Sequence, residues 1–278
     1  MRHESESGQW ESVKRQPAAS LREFVRCYHG WLEFTAGRSR RREVPTGEVV
    51  LVINLGEPFH VLNLKDSGRE DAPLLSFASG VSDSYVFTES ARSMHVLQVD
   101  FTPLGAHLLF GLPMHSLANH EVRLDELLGP AAIELEGHLR EAPTWEKRFA
   151  LLEHFIEVRF AVALPPEPRV AWAMRRLKET GGIVSISGLA ADLGWADRRL
   201  INAFREHVGL PPKTMARIIR FNRVTRLARQ VGPPRWADIA YRCGYYDQAH
   251  LVHDFRQFSG LTPTDFLAGG AADMPLPG

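Results

Sequence analysis

Apolar positions along this 278-residue chain change their spacing near residue 102. Before it they fall in short β-branched or aromatic runs, at residues 48–55, 59–64, 74–77, 84–88 and 95–101, separated by Gly, Ser, Asp and Pro. Such runs between turn residues predict a small antiparallel sheet or barrel. After Thr102-Pro103 the spacing becomes helical, first through Leu104, His107, Leu108 and Gly111, then through Val122, Leu124, Leu127 and Leu128 up to Gly129-Pro130. From Trp145, a stripe of Phe149, Leu152, Ile156 and Phe160, widened by Leu151, Phe155 and Val158, predicts a helix of about four turns. So broad an apolar face packs on the chain's own sheet or on the same helix of a second subunit. Two stretches near the start are less informative. The first 16 residues are polar and expected to fray. Residues 21–34 do not choose between helix and strand, although Ser20 and Glu23 have the spacing of a capping box.

Leu164-Pro165-Pro166-Glu167-Pro168 stops the helix and makes a stiff linker. Beyond it Val170, Met174 and Leu177 open a new helix that Gly181-Gly182 ends. Then the chain repeats itself. Leu200, Phe204, Arg205, Gly209 and Pro212 return 51 residues later as Leu251, Phe255, Arg256, Gly260 and Pro263, and Ala190 and Gly194 return 50 later as Ala240 and Gly244. Each copy is a short helix, a glycine turn and a second short helix, so two helix-turn-helix units lie in tandem. In the second unit Leu251, Phe255 and Phe258 line one helix face, while Gln248, Val252, His253 and Arg256 point to the sides or away. Asp247 stands at the N-cap position, and Thr262-Pro263-Thr264-Asp265 starts another helix at once. Between the copies residues 212–230 form a long helix with arginines at 217, 220, 223, 226 and 229. Steps of three wind these cations around the helix, so only some can meet one partner surface.

Charge sharpens this division. Overall the chain carries 33 basic and 33 acidic residues. Up to Pro168 there are 17 Lys+Arg against 24 Asp+Glu, a balance of −7; from Arg169 onward there are 16 against 9, a balance of +7. A basic module on an acidic one suits a phosphate-binding head on a regulatory body. The run Arg38-Ser39-Arg40-Arg41-Arg42, in the acidic half, is expected as an exposed loop. Cys27 and Cys243 are far apart and read as small buried hydrophobes. No apolar run approaches the roughly 20 residues that cross a bilayer, so a cytoplasmic protein without a membrane partner is expected.

Enzymatic chemistry finds little support. A metal-dependent barrel of cupin type fused to the basic module is the alternative, but it wants paired histidines two apart on a strand, and none of the 12 histidines is so placed. Walker, G-x-S-x-G and dinucleotide-binding fingerprints are also missing. No catalytic residue, metal ligand or cofactor is therefore assigned. Tyr28, Trp31, Phe59, Phe77, Tyr85 and Phe87 are candidate pocket walls, although aromatic residues in a small sheet usually form core.

The second half resembles the AraC/XylS-type transcriptional regulators, whose DNA-binding unit holds two helix-turn-helix motifs joined by a long helix. Leu189-Ala190, Gly194, Leu200, Phe204 and Gly209 carry the resemblance in the first motif; Ile239-Ala240, Gly244, Tyr245, Asp247, Gln248, Leu251, Phe255, Gly260 and Pro263 carry it in the second. Residues 44–47 and 54–58 are similar, more weakly, to a sensor domain of some members. The resemblance implies an α+β chain: a β-rich N-terminal sensor and dimerisation domain, cupin-like or a small sheet with flanking helices (1–164), a linker (165–169) and an all-α double helix-turn-helix domain (170–270). It implies double-stranded DNA as partner, a homodimer, a small-molecule effector, and RNA polymerase if the protein activates. Carried over by position, Arg198, Ile201 and Asn202 in the first motif and Gln248, His250 and His253 in the second are the base-contact candidates. Arg205, Lys213, Arg217 and Arg256 are the phosphate candidates. Arg pairs with guanine and Asn or Gln with adenine, each worth roughly 1–3 kcal/mol of discrimination, while Ile201 meets only a thymine methyl. The family's usual polar cap before the first recognition helix is replaced here by Ala196, followed by Asp197.

Overall fold

The structure, a computed structural model, describes residues 2–5, 8–35, 39–58, 60–62, 74–90, 93–230 and 235–269. Its first half is built on β1 (Arg2–Ser5), β2 (Gly8–Arg15), β3 (Val25–Thr35), β4 (Ser39–Glu43), β5 (Val49–Asn54), β6 (His60–Leu62), β7 (Phe77–Ser79), β8 (Val86–Ser90) and β9 (Ser93–Phe101). Helix α1 (Pro103–Phe110), strand β10 (Glu121–Arg123) and helices α2 (Leu124–Leu128), α3 (Pro130–Glu141) and α4 (Trp145–Val162) follow. A seven-stranded sheet runs in the order β1-β2-β3-β9-β5-β7-β10 and a three-stranded one in the order β4-β8-β6, with antiparallel pairing throughout.

Period-2 alternation divides the large sheet between two environments. Tyr28, Leu51, Ile53, Leu97, Val99 and Phe101 join the main core with Phe149, Leu152 and Ile156 of α4. The Tyr28 and Phe149 rings lie 6.1 Å apart, and a Cβ on Gly30 would sit 2.6 Å from the Trp145 ring, so glycine lets α4 approach β3 closely. Trp31, Val52, Phe77, Met94 and Val96 form a second apolar cluster. His29, stacked on Trp31, joins Asp100 at 3.0 Å, and Gln98 bonds the same carboxylate at 2.6 Å. Helix α4 thus covers its own sheet, while Leu151, Val158 and Val162 stay 38%, 52% and 82% exposed.

Several expectations for this half are corrected. The N-terminal residues expected to fray include β1 and β2, which pair with each other and, through β2, with β3. Residues 25–35 are strand, and Ser20 lies inside a 3₁₀ turn (Ala19–Leu21) whose N-cap position is Ala18, without a side-chain cap, so no capping box forms. The arginine run is strand β4 rather than a loop. Arg41 pairs with Glu33, Arg40 faces Glu89 at 3.7 Å, and Arg40 and Arg42 lie over the Phe87 ring at 4.1 and 4.7 Å. Phe59, Arg38 and residues 63–64 fall outside the described residues.

The second half comprises α5 (Pro168–Glu179), α6 (Ile186–Asp192), α7 (Asp197–His207), α8 (Pro212–Gln230), α9 (Trp236–Arg242), α10 (Gln248–Ser259) and α11 (Pro263–Ala268). The strand-rich half followed by an all-helical half is the α+β architecture expected. One core cluster runs from the sheet through α1–α4 into these helices. Cys27 and Cys243 are both buried free thiols.

Candidate nucleic-acid interface

Helices α6 and α7 form the first helix-turn-helix and α9 and α10 the second, with α8 between them. The repeat is legible atom by atom. Leu200 and Leu251 are both 0% exposed, and Phe204 and Phe255 are 0% and 1% exposed. Gly194 and Gly244 turn the chain with φ of +64° and +74°, a conformation that costs other residues about 1–2 kcal/mol. Pro212 and Pro263 each begin the following helix, where a missing N–H does no harm.

The start of each second helix differs. Asp247 caps α10 by accepting from the His250 N–H at 2.7 Å, and Thr262 caps α11 by accepting from the Asp265 N–H at 3.2 Å. Ala196 offers α7 no side-chain cap. Asp197 supplies negative charge at that end, and the Ser187 hydroxyl donates to it at 3.0 Å.

Outward faces carry the candidate reading groups. Arg198 and Asn202 are exposed on α7, with Ile201 half-buried beside them; Gln248 and His253 are exposed on α10. Gln248, Ala249, Val252, His253 and Arg256 line a shallow apolar-floored depression on α10. His250 is half-buried, its ring edge-on to Tyr245 at 5.2 Å, so its ring belongs partly to the turn. Arg205, Lys213 and Arg256 are exposed.

Arg217 is placed differently. Its Nε and Nη2 donate to Asp254 at 3.1 and 2.6 Å, and Nη2 also reaches Gln257 at 2.6 Å. Asp254 is fully buried on the apolar face of α10, so the pair ties α10 to α8. Next along α8, Arg220 lies over the Tyr245 ring at 5.2 Å. Burial, followed by the Asp254 charge, pushes the Tyr245 phenol above its ordinary pKa of 10. The winding of the α8 arginines thus turns some inward while Arg226 remains exposed. Asp254 went unassigned by spacing, although it falls between Leu251 and Phe255 on the apolar face of its helix, and its partner lies 37 residues away. Tyr241 and Tyr246, 84% and 93% exposed in the second motif, also went unassigned by spacing.

Among the described residues no group of three or more His, Cys, Asp or Glu is placed to hold a metal ion, and no helix is long and apolar enough to cross a membrane.

Two tandem helix-turn-helix motifs with polar and cationic outward faces define a DNA-binding module. Residues 189–269 match a family described as a helix-turn-helix domain, and residues 13–123 match a domain of unknown function (DUF6597). The C-terminal part of the chain is accordingly a helix-turn-helix domain of the AraC type, the DNA-binding part of a transcription regulator. No curated protein matches the chain significantly. Among solved structures, ToxT from Vibrio cholerae is 10% identical over 95% of this chain and 98% of its own, with a TM-score of 0.47. ToxT from strain SCE256 bound to unsaturated fatty acid is 10% identical over 99% and 100%, with a TM-score of 0.46. An AraC-type regulator from Chromobacterium violaceum is 23% identical over 37% of this chain and 93% of its own, with a TM-score of 0.34.

Proposed function

We propose that α7 and α10 enter two successive major grooves on one face of a DNA duplex and that the N-terminal domain adjusts this binding in response to a small molecule or to dimerisation. The observation that carries this is the repeat itself: two reading helices, each with buried Leu and Phe on one side and exposed polar groups on the other, joined by one continuous helix. Helix α8, 19 residues long, spans roughly 28 Å, suited to motifs that sit about 34 Å apart on DNA.

In this reading Arg198, Ile201 and Asn202 meet base edges in one groove and Gln248, His250 and His253 in the next. Arg205, Lys213 and Arg256 hold phosphates and set register without reading sequence. Arg217 joins them through Nη1, since its bonds to Asp254 and Gln257 use Nε and Nη2. Residues 1–164 act as sensor and dimerisation domain, 165–169 as linker and 170–270 as reader. Dimerisation through the exposed stripe Leu151, Val158 and Val162 of α4 is supported by its helical spacing. A polar effector suits the sheet face bearing His29, Gln98 and Asp100 beside Trp31. The protein works in the cytoplasm, without a cofactor, and meets RNA polymerase if it activates.

Selection of bound duplexes from a random library tests the reading. It should recover a site with two short conserved segments about one helical turn apart. Gln248→Ala or Arg198→Ala should relax one or two base pairs. Lys213→Ala should weaken all sequences alike and reduce the salt slope by about 0.9. No enrichment for any sequence would sink the specific-regulator claim.

A further inference from the structure

Both reading helices are gripped by the N-terminal half, and at the same end. Arg42, the last arginine of the basic run on β4, donates from Nη1 to the Ser259 carbonyl at 2.5 Å. That carbonyl lies in the last turn of α10, where the helix offers no partner and a cation is favoured. The Arg42 guanidinium also lies over Tyr85 at 4.9 Å. The Tyr85 ring fills the space beside Gly260, where an added Cβ would come within 2.5 Å of it. Arg40 and Arg41 stay within the sheets, paired with Glu89 and Glu33, so Arg42 alone of these three crosses to α10.

At the other motif, His207 in the last turn of α7 meets His107 of α1, with Nδ1 to Nε2 at 3.2 Å. His107 Nδ1 lies 3.1 Å from the Leu112 carbonyl, which can only accept. His107 therefore carries its proton on Nδ1, and its Nε2 accepts from His207. Gly209, just past α7, lies so close to the Met114 carbonyl that a Cβ would be 3.0 Å from it. Between the two grips, Asn222 of α8 donates to the Thr46 carbonyl at 2.9 Å.

These contacts sit at the C-terminal ends of α7 and α10, whereas the exposed Arg198, Asn202, Gln248 and His253 lie nearer the N-terminal ends. A recognition helix reads bases with its N-terminal part, so the grips leave the reading ends open.

We propose that the N-terminal half acts as a caliper: through Arg42 at α10 and His107 at α7 it fixes the distance and rotation between the reading helices, and so sets the half-site spacing the protein accepts. This rests on the two-groove reading. Each inserted base pair moves a half-site by about 3.4 Å and turns it by roughly 35°, so a held pair of helices accepts one spacing and a released pair accepts several.

The test uses the full-length protein and its selected duplex, with the segment between the two half-sites lengthened or shortened by one or two base pairs. Binding is measured by fluorescence anisotropy for the unaltered protein, Arg42→Gln, Tyr85→Leu and, as a control within the same basic run, Arg40→Gln. The unaltered protein and Arg40→Gln should lose about tenfold or more per single-pair change, comparable to a mismatched base, and Arg42→Gln less than about threefold. Thermal unfolding confirms folding, and Tyr85→Leu carries the test should Arg42→Gln fold poorly. If both grip variants keep the sharp profile, the caliper is overturned and two-groove reading stands. If the unaltered protein ignores both spacing and loss of one half-site, two-groove reading fails, and the caliper with it.

Discussion

The two helix-turn-helix motifs share a backbone plan and differ in what makes them rigid. Where the second has Asp247 as cap and Asp254 as a buried anchor to Arg217, the first has Ala196 and Ala203. Where the second buries Phe258 against Phe221 at 5.4 Å, the first has His207, which leaves its own motif to meet His107 of α1. The second motif is thus braced from within and by a permanent cation, Arg42. The first depends more on its neighbours. In a two-part reader such inequality separates an anchoring head from an adaptable one, and the free protein should show faster amide exchange at Leu200 than at Leu251.

Breaking the brace should have the largest effect. Arg217→Ala strands a carboxylate that is 1% exposed and should destabilise the protein by about 3–5 kcal/mol in denaturant unfolding. Arg205→Ala, on the exposed face of α7, should cost less than about 0.5 kcal/mol. Comparable losses from both would erase the contrast.

The turn glycines give a finer comparison. Gly194→Ala meets nothing within 4 Å and should cost only the left-handed backbone preference, about 1–2 kcal/mol. Gly244→Ala should cost more, because its Cβ would come within 2.7 Å of the Ile183 side chain, although that side chain is 48% exposed and can shift.

Capping should be nearly symmetrical in size and opposite in sign. Asp247→Ala should lose about 1 kcal/mol, and Ala196→Ser should gain about 0.5–1 kcal/mol by thermal unfolding. A gain in stability that leaves DNA affinity unchanged would argue against the first motif's looseness having a role in binding.

The smallest expected effect is pH-dependent and confined to the first motif. Burial, then the His107 ring, hold the His207 pKa below its ordinary 6.5, with Glu206 and Glu167 acting the other way; His115 stands 4.0 Å from Glu206. A lowered pKa means that the folded state resists protonation. Its contribution to stability is therefore complete above pH 6.5 and is lost as pH falls through the folded value. Burial raises the Glu48 carboxyl pKa to about 7, which acts the other way, so the His207 share is read by difference: on mild acidification the unaltered protein should lose melting temperature relative to His207→Gln, whose slope lacks this contribution. An unchanged slope would remove His207 as its source.

Much of the C-terminal half was legible because its determinants are local: glycine turns, the Asp247 cap and a 51-residue repeat of apolar positions. The N-terminal half was less so. Strand β2 carries Glu11, Lys14 and Arg15, and β4 is almost wholly charged, because partners distant in sequence satisfy them: Glu153 for Arg15, and Glu33 and the Phe87 ring for β4. Helix α3 buries Ala132, Leu135 and Leu139, but Gly129, Pro130 and Gly137 obscure the stripe. The polar contacts across the seam, such as Arg42 to Ser259, join single residues far apart in sequence, which no periodicity encodes.

Between α4 and α5 the backbone passes through residues 163–167, of which Leu164 is 86% exposed. The apolar core, in contrast, continues from the sheet into α5 and the reading helices. Connectivity and cohesion therefore lie in different places. A cut introduced within this segment would sever the polypeptide without dividing the core, and the two fragments should migrate together under native conditions and part only in denaturant.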